Sequence, residues 1–231
     1  MAAKTMMFVD TSKCIGCRSC QVACKQWHSL PAETTSFSGS YTNPTNLSKN
    51  TLTLVKFTEF VDSRGKLHFF MMKRQCMHCN QAKCQVRCPK GVEKTGEGFV
   101  VFNEYCTPEN VRLKRGELPA NAKQIFLDCC PYGIPSYDTV TNTFHKCDFC
   151  FNRFDGGCYT CNIGGKPTTA CELTCPAGAV VTGLASTITA LSKSRLTKVK
   201  KQYNKATLWG GRGRVIYLLT EKKSSYGLIG L

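Results

Sequence analysis

The sequence predicts an α+β fold built around repeated cysteine loops, with a β-hairpin inserted between two of them and a helix near the C-terminus. Three observations carry this. Seventeen of the 231 residues are cysteine, and they recur at two-residue intervals: Cys14–Cys17–Cys20, Cys76–Cys79, Cys147–Cys150 and Cys158–Cys161. Leu52, Leu54, Phe57 and Phe60 sit among Thr, Lys and Glu, Asp62-Ser63-Arg64-Gly65 makes a turn, and Leu67 to Met72 reads as the returning strand. Ser186 or Thr187 can cap a helix whose apolar positions are Ile188, Leu191, Val199 and Tyr203.

In chain order, the first cysteine segment runs from Lys13 to Lys25. A polar stretch from Glu33 to Asn50, rich in Ser, Thr and Asn, reads as a long loop leading into the hairpin. The second segment covers Gln75 to Pro89, and Phe99 to Phe102 is a short apolar strand. A charged loop, Thr107 to Lys123, separates it from the third segment, Cys129 to Pro135; the fourth spans Lys146 to Pro176. The outer face of the C-terminal helix carries Lys193, Arg195, Lys198, Lys200 and Lys201, and Val215 to Leu219 reads as a last strand.

So many cysteines mean either a disulfide framework or metal sites. Disulfide scaffolds are usually shorter and do not repeat at two-residue intervals, so the spacing favours metal. The formal charge of +16 counts every thiol as neutral. A four-iron core held by four thiolates leaves about −2 per site, so three such sites lower the total to roughly +10. The surplus suits an acidic partner better than it argues for a nucleic-acid groove. The N-terminus runs straight into the first cysteine run without the apolar stretch of a signal peptide. Ala177 to Leu191 is interrupted by Thr182, Gly183, Ser186, Thr187 and Thr189, so no membrane span is expected.

A cubane cluster needs four thiolates at the corners of a small polar core, and one loop wraps three corners when its ligands lie two residues apart. The fourth ligand of each run is expected to start a helix and, in two-cluster ferredoxins, to bind the other cluster. Cys14-x2-Cys17-x2-Cys20-x3-Cys24 matches such a run, and Cys147-x2-Cys150 with Cys171-x3-Cys175-Pro176 supplies its partner. Crossing the fourth ligands gives a first site of Cys14, Cys17, Cys20 and Cys175 and a second of Cys147, Cys150, Cys171 and Cys24. A zinc ribbon would need two CxxC knuckles and no Cys-x3-Cys-Pro ending. Cys76-x2-Cys79-x4-Cys84-x3-Cys88-Pro89 is a further run. The remaining Cys-Pro, Cys130-Pro131, makes the third site Cys76, Cys79, Cys84 and Cys130. Cys88 points to a fourth site, for which the third segment offers only Cys106 and Cys129, so a fourth cluster stays open. Cys158 and Cys161 sit in an insertion, Asp155 to Thr169. They read as free or disulfide-linked thiols, as part of a separate zinc or iron site, or as replacements for an assigned ligand.

Cys-Ile-Gly-Cys-Arg-Ser-Cys-Gln-Val-Ala-Cys-Lys-Gln-Trp-His (14–28), Cys-Met-His-Cys (76–79), Cys-Pro-Tyr-Gly-Ile-Pro (130–135) and Lys-Cys-Asp-Phe-Cys (146–150) resemble one family. It is the iron–sulfur β subunit of molybdenum- or tungsten-bis-pterin oxidoreductases, and Ala-Cys-Lys-Gln-Trp-His is most similar to formate dehydrogenase β subunits. The resemblance covers residues 5 to about 182. It implies two ferredoxin-like 4Fe-4S modules related by a pseudo-twofold axis: residues 1–30 with 145–182, and residues 75–144. Residues 31–74 would be a loop and hairpin insertion, and 183–231 a C-terminal helix and strand. It also implies clusters in a wire, a catalytic molybdenum/tungsten-bis-pterin subunit as partner, with a cytochrome or membrane subunit as a further one. A periplasmic site would follow from co-export on that partner's twin-arginine signal, with the cytoplasm as the alternative.

The family keeps substrate chemistry in the other subunit, and no nucleotide loop of the GxGxxG or GxxxxGK[ST] type occurs here. The histidines are His28, His68, His78 and His145. His78, inside the Cys76–Cys79 knuckle, is expected to pack or hydrogen-bond near cluster sulfur; Trp27 and His28 read as surface or interface residues. The expected function is an electron-transfer subunit without a catalytic residue of its own. The alternatives are a β subunit serving aldehyde, sulfur or nitrate chemistry, a free polyferredoxin, and a basic zinc protein binding nucleic acid.

Overall fold

The computed structural model describes residues 4–113, 116–154 and 162–228; Cys158 and Cys161 lie outside them. Its strands are β1 (Thr5–Asp10), β2 (Leu54–Val61), β3 (Leu67–Arg74), β4 (Val92–Lys94), β5 (Val100–Phe102), β6 (Ser136–Asp138), β7 (Thr143–His145), β8 (Asn162–Ile163), β9 (Lys166–Pro167), β10 (Val180–Leu184), β11 (Thr207–Gly210) and β12 (Val215–Leu219). Its helices are α1 (Ser19–Trp27), α2 (Lys83–Arg87), α3 (Ala122–Asp128), α4 (Ala170–Leu173) and α5 (Ala185–Lys200). The content is mixed α+β.

A four-stranded sheet in the order β10-β1-β12-β11 organises the molecule. β1 runs antiparallel to β10 and parallel to β12, and β11 closes an antiparallel pair with β12. Successive side chains of a strand point to opposite faces. Met6 and Phe8 therefore pack with Ile188, Val199, Ile216 and Leu218 under α5. Met7 and Val9 turn the other way, toward Cys20, Cys171, Val215 and Tyr217. Both faces of β1 are covered, so its sequence Thr-Met-Met-Phe-Val-Asp lacks the alternation that marks a half-buried strand, and nothing in the pattern singled it out.

β2 and β3 pair antiparallel from Leu54↔Arg74 to Val61↔Leu67. Asp62 Oδ1 closes the turn by accepting from the N–H groups of Arg64 and Lys66 at 2.9 and 3.0 Å. The base of the hairpin is buried at Leu54, Val55, Met72 and Lys73, whereas the tip exposes Val61 and Leu67. A second core gathers Val92, Val100, Val111, Phe126 and Phe144 around Cys88 and Cys106.

Several expectations are corrected. The C-terminal helix begins at Ala185 with Leu184 as its N-cap, because the chain leaves β10 directly into the helix; neither Ser186 nor Thr187 caps it. Its buried positions are Ile188, Ser192 and Val199; Leu191 faces outward at 38% exposure, and Tyr203, 39% exposed, lies beyond the end of the helix at Lys200. The third change concerns the runs: the helices α1, α2 and α4 take in the preceding cysteines Cys20, Cys84 and Cys171, so each helix starts before the fourth cysteine of its run. The outer face of α5 is also not purely solvated, since Arg195 Nε meets the buried Asp10 Oδ2 at 2.7 Å. The end of the charged loop, at Ala122 and Lys123, belongs to α3, a short helix anchored by Phe126.

Candidate metal centres

The CxxC knuckles Cys14–Cys17, Cys76–Cys79 and Cys147–Cys150 turn through the left-handed region at the residue before the second cysteine: Gly16 at φ 67°, His78 at 46° and Phe149 at 69°. Glycine adopts this conformation freely, whereas His78 and Phe149 must be held there by packing. The turn aims the N–H of that residue back at the first sulfur. Gly16 donates to Cys14, Phe149 to Cys147, and His78 to Cys76 Sγ at 3.4 Å. Rings hold the two non-glycine residues: Phe149 stacks on Phe99 with centroids 4.4 Å apart and meets His78 edge-on at 5.1 Å. His78 Nδ1 accepts from the Val100 N–H at 3.0 Å. Burial and the nearby Lys146 and Lys73 charges keep its imidazole well below the ordinary histidine range.

The thiols gather in three groups. Cys14, Cys17, Cys20 and Cys175 wall one small cavity, and Cys24, Cys147, Cys150 and Cys171 wall another. Cys76, Cys79, Cys84 and Cys130 form the third, each close enough to influence the ionisation of another. Cys130 also receives N–H groups from Tyr132, Gly133 and Ile134, and Cys175 Sγ receives the Ala179 N–H at 3.2 Å. The groups form a row. Cys20 and Cys171 face each other between the first and second, and Cys24, Cys76 and Cys147 pack in one cluster between the second and third. The middle group is fully buried; Cys17 is exposed at one end, and Cys79, Cys84 and Cys130 are half-buried at the other.

The donor chemistry fits a cationic metal core. Burial, and then the charge of neighbouring thiolates, pushes Cys79 up to about 11. Burial likewise carries Cys20, Cys84 and Cys147 up to about 12, although nearby lysines oppose it. Four such groups cannot all ionise together unless a cation takes their place among solvent, which is what a bound iron–sulfur core provides. No similar set of four forms from the remaining cysteines among the described residues. Cys88 and Cys106 are fully buried and hydrogen-bond to each other, while Cys129 stands beside Cys84 and Cys130.

Two lysines border these groups that the sequence reading did not single out. Lys73 is 2% exposed, its Nζ has no hydrogen-bond partner, and it walls both the first and second cavities. Lys146 Nζ donates to the carbonyls of Val100 and Cys147 and lies 4.5 Å from the Phe102 ring centroid. For Lys146 the available signal was position, since it immediately precedes Cys147; Lys73 stands three residues before Cys76 and faces the sulfurs of other segments, so nothing in the sequence marked it. His28 Nε2 lies 3.3 Å from Asp148 Oδ1 at the border of the second group, and the Trp27 indole donates to Asn152 Oδ1 at 3.2 Å under the Arg153 guanidinium.

Comparisons with known proteins point to iron–sulfur chemistry as well. One 4Fe-4S dicluster domain matches residues 67–184 and another matches residues 13–92. The chain is 35% identical over 223 residues to formate dehydrogenase 2 subunit beta (cytochrome c-553) of Nitratidesulfovibrio vulgaris, covering 94% of each protein. It is 32% identical over 225 residues to the formate dehydrogenase subunit beta of Megalodesulfovibrio gigas, covering 95% of each. Against the nitrate-inducible formate dehydrogenase iron-sulfur subunit of Escherichia coli, identity is 31% over 225 residues, covering 94% of this chain and 68% of that one. The chain thus carries multiple 4Fe-4S clusters and belongs to the electron-transfer iron–sulfur subunits of the formate dehydrogenase β family.

Proposed function

We propose that this chain is the electron conduit of a formate dehydrogenase and performs no substrate chemistry itself. The row of three four-thiol groups carries this reading: its middle member is shut away from water while both ends approach the surface. A 4Fe-4S cluster bound at such a group supplies a one-electron carrier. The protein's part is to hold and space these carriers. Cys14, Cys17, Cys20 and Cys175 are the ligands of the first, Cys24, Cys147, Cys150 and Cys171 of the second, and Cys76, Cys79, Cys84 and Cys130 of the third. The backbone N–H groups aimed at Cys14, Cys76, Cys130, Cys147 and Cys175 stabilise thiolate charge, and burial excludes water from the middle of the path. Among the described residues we count three four-thiol groups, with Cys129 beside Cys84 and Cys130 and Cys88 paired with Cys106.

The crossed ligand groups support two modules, residues 1–30 with 145–182 and residues 75–144, related by a pseudo-twofold axis. The proposed partner is a molybdenum- or tungsten-bis-pterin subunit that oxidises formate. A cytochrome is a suitable acceptor, in keeping with the name of the Nitratidesulfovibrio relative. No described helix is long and apolar enough to cross a membrane. We place the assembled complex in the periplasm, through co-export on the partner's signal; fractionation of native cells distinguishes this from a cytoplasmic complex.

The test is Cys175→Ala in the complex purified anaerobically. Iron should fall by about four atoms per chain, with the first cluster's signal lost. Unchanged iron would defeat the crossed ligand scheme, and zinc in place of iron would defeat the cluster reading altogether. A large subunit that reduces dyes with an aldehyde or sulfur compound but not formate would leave the conduit standing and remove the substrate.

A further inference from the structure

Lys73 stands on β3 at the buried base of the hairpin, paired in register with Val55. The Tyr217 hydroxyl donates to its carbonyl oxygen at 2.9 Å, fixing that stretch of strand against β12. Lysines normally reach for water with the ammonium group. This one cannot, since the residue is 2% exposed and its Nζ finds no hydrogen-bond partner. An isolated ammonium in such a place is strongly disfavoured unless anions surround it. The side chain walls the first and second thiol cavities together, and the groups that face it are the sulfurs of Cys20, Cys147 and Cys171 with the Tyr217 phenol.

We propose that Lys73 is a fixed positive charge shared by the first and second clusters, and that it raises both of their reduction potentials relative to the same sites without it. Adding an electron makes a cluster more negative, so a nearby cation stabilises the reduced form more than the oxidised one. One charge set between two carriers acts on both in the same sense and keeps their potentials close, which favours transfer in either direction across that gap. Lys73 is a positioning residue that acts through the field it imposes, not a ligand. Tyr217 and the strand pairing explain why the charge stays between the two sites.

The inference rests on the four-iron reading of both groups. It is tested by redox titration of the complex with electron paramagnetic resonance, comparing the parent with Lys73→Met, Lys73→Gln and Lys73→Arg. In the two neutral variants the first and second midpoints should fall by the equivalent of at least a tenfold change in the reduction equilibrium, about 59 mV for one electron. The third midpoint should move much less, and Lys73→Arg should stay near the parent. Should both neutral variants fail to hold iron while Lys73→Arg retains it, the charge is required and the proposal stands. It is overturned if an iron-replete neutral variant keeps its midpoints, if all three shift equally, or if Lys73→Arg fails together with the neutral pair. Zinc in the parent would instead sink the four-iron reading, so the two failures are distinguishable.

Discussion

The backbone N–H of Arg214 donates to the carbonyl oxygens of Met77 and His78, at 2.9 and 3.1 Å, joining the β11–β12 turn to the second cysteine loop. The approach is possible because residue 213 is glycine: a Cβ there would lie 2.2 Å from the Met77 oxygen. Backbone cannot step aside as a flexible side chain can. Gly213→Ala should therefore cost about 1–3 kcal/mol and loosen the third cluster, seen as a lower melting temperature and faster iron loss to a chelator. Gly183→Ala, whose added carbon would first meet Ile188 at 3.7 Å, should be nearly neutral and serves as the control.

Cys88 and Cys106 are buried as a pair in the apolar core formed with Val92, Val111 and Phe126. Gly91 lies so close that a Cβ would stand 2.3 Å from the Cys106 Cα, so the two segments are clamped by packing. Cys88→Ser and Cys106→Ser should each leave about twelve irons per chain while lowering stability by about 1–3 kcal/mol, because a hydroxyl enters an apolar site. Loss of four irons from either variant would show instead that the pair holds a further cluster.

How much of this was legible in the sequence follows from what each feature depends on. The thiol groups were legible because the two-residue spacing encodes how a single loop wraps a metal core, and Cys175 and Cys130, each before a proline, join groups whose other cysteines lie far away in sequence. The hairpin was legible from Asp62-Ser63-Arg64-Gly65 between two apolar stretches. β1 was hidden because a strand covered on both faces carries no alternation, β10 is a short edge strand buried only at Val180, and α5 started early because β10 feeds it without a polar cap. Lys73 was hidden more deeply. Its burial contradicts the habit of its residue type and becomes tolerable only once Cys20 from the first cysteine segment and Cys147 and Cys171 from the fourth converge on it.

Lys49 in the long polar loop reaches Asp138 on β6, Nζ to Oδ1 at 2.8 Å, and so ties the loop to the second half of the chain. The lysine, then the Val140 N–H and the Thr141 hydroxyl, hold this carboxyl well below the usual carboxylate range. A carboxyl depressed in the folded state contributes stability above its unfolded value, about 3.9, and loses it as pH falls toward the folded one. The difference in melting temperature between the parent and Asp138→Asn should stay constant from about pH 8 to 5 and close as pH drops below about 4. Both proteins carry the same clusters, so the difference isolates this one carboxylate. A gap that instead widened on acidification would remove the ion pair as its cause.

The two ends of the row differ in surface chemistry, and the difference predicts different partners for them. Around the exposed Cys17, Ile15 is 63% exposed and Tyr41 62%, with the Tyr41 and Phe69 rings 5.7 Å apart. The Arg18 guanidinium lies 5.1 Å from the Phe57 ring centroid and its Nη2 donates to the Tyr41 carbonyl, so loop and hairpin form one continuous apolar face. Beside Cys79 the concave surface is lined by Asn80, Gln81, Lys83, Tyr132 and Arg212, with no acidic residue among them. Apolar faces suit permanent association, whereas charged rims chiefly steer encounter and lose strength with salt. Ile15→Asp should therefore reduce co-purification of the catalytic subunit at least tenfold in affinity, about 1.4 kcal/mol, without changing iron per chain. Lys83→Glu combined with Arg212→Glu should leave that complex intact, slow reduction of an acidic acceptor and flatten its dependence on ionic strength. If the double variant strips the large subunit while Ile15→Asp retains it, the conduit runs the other way round.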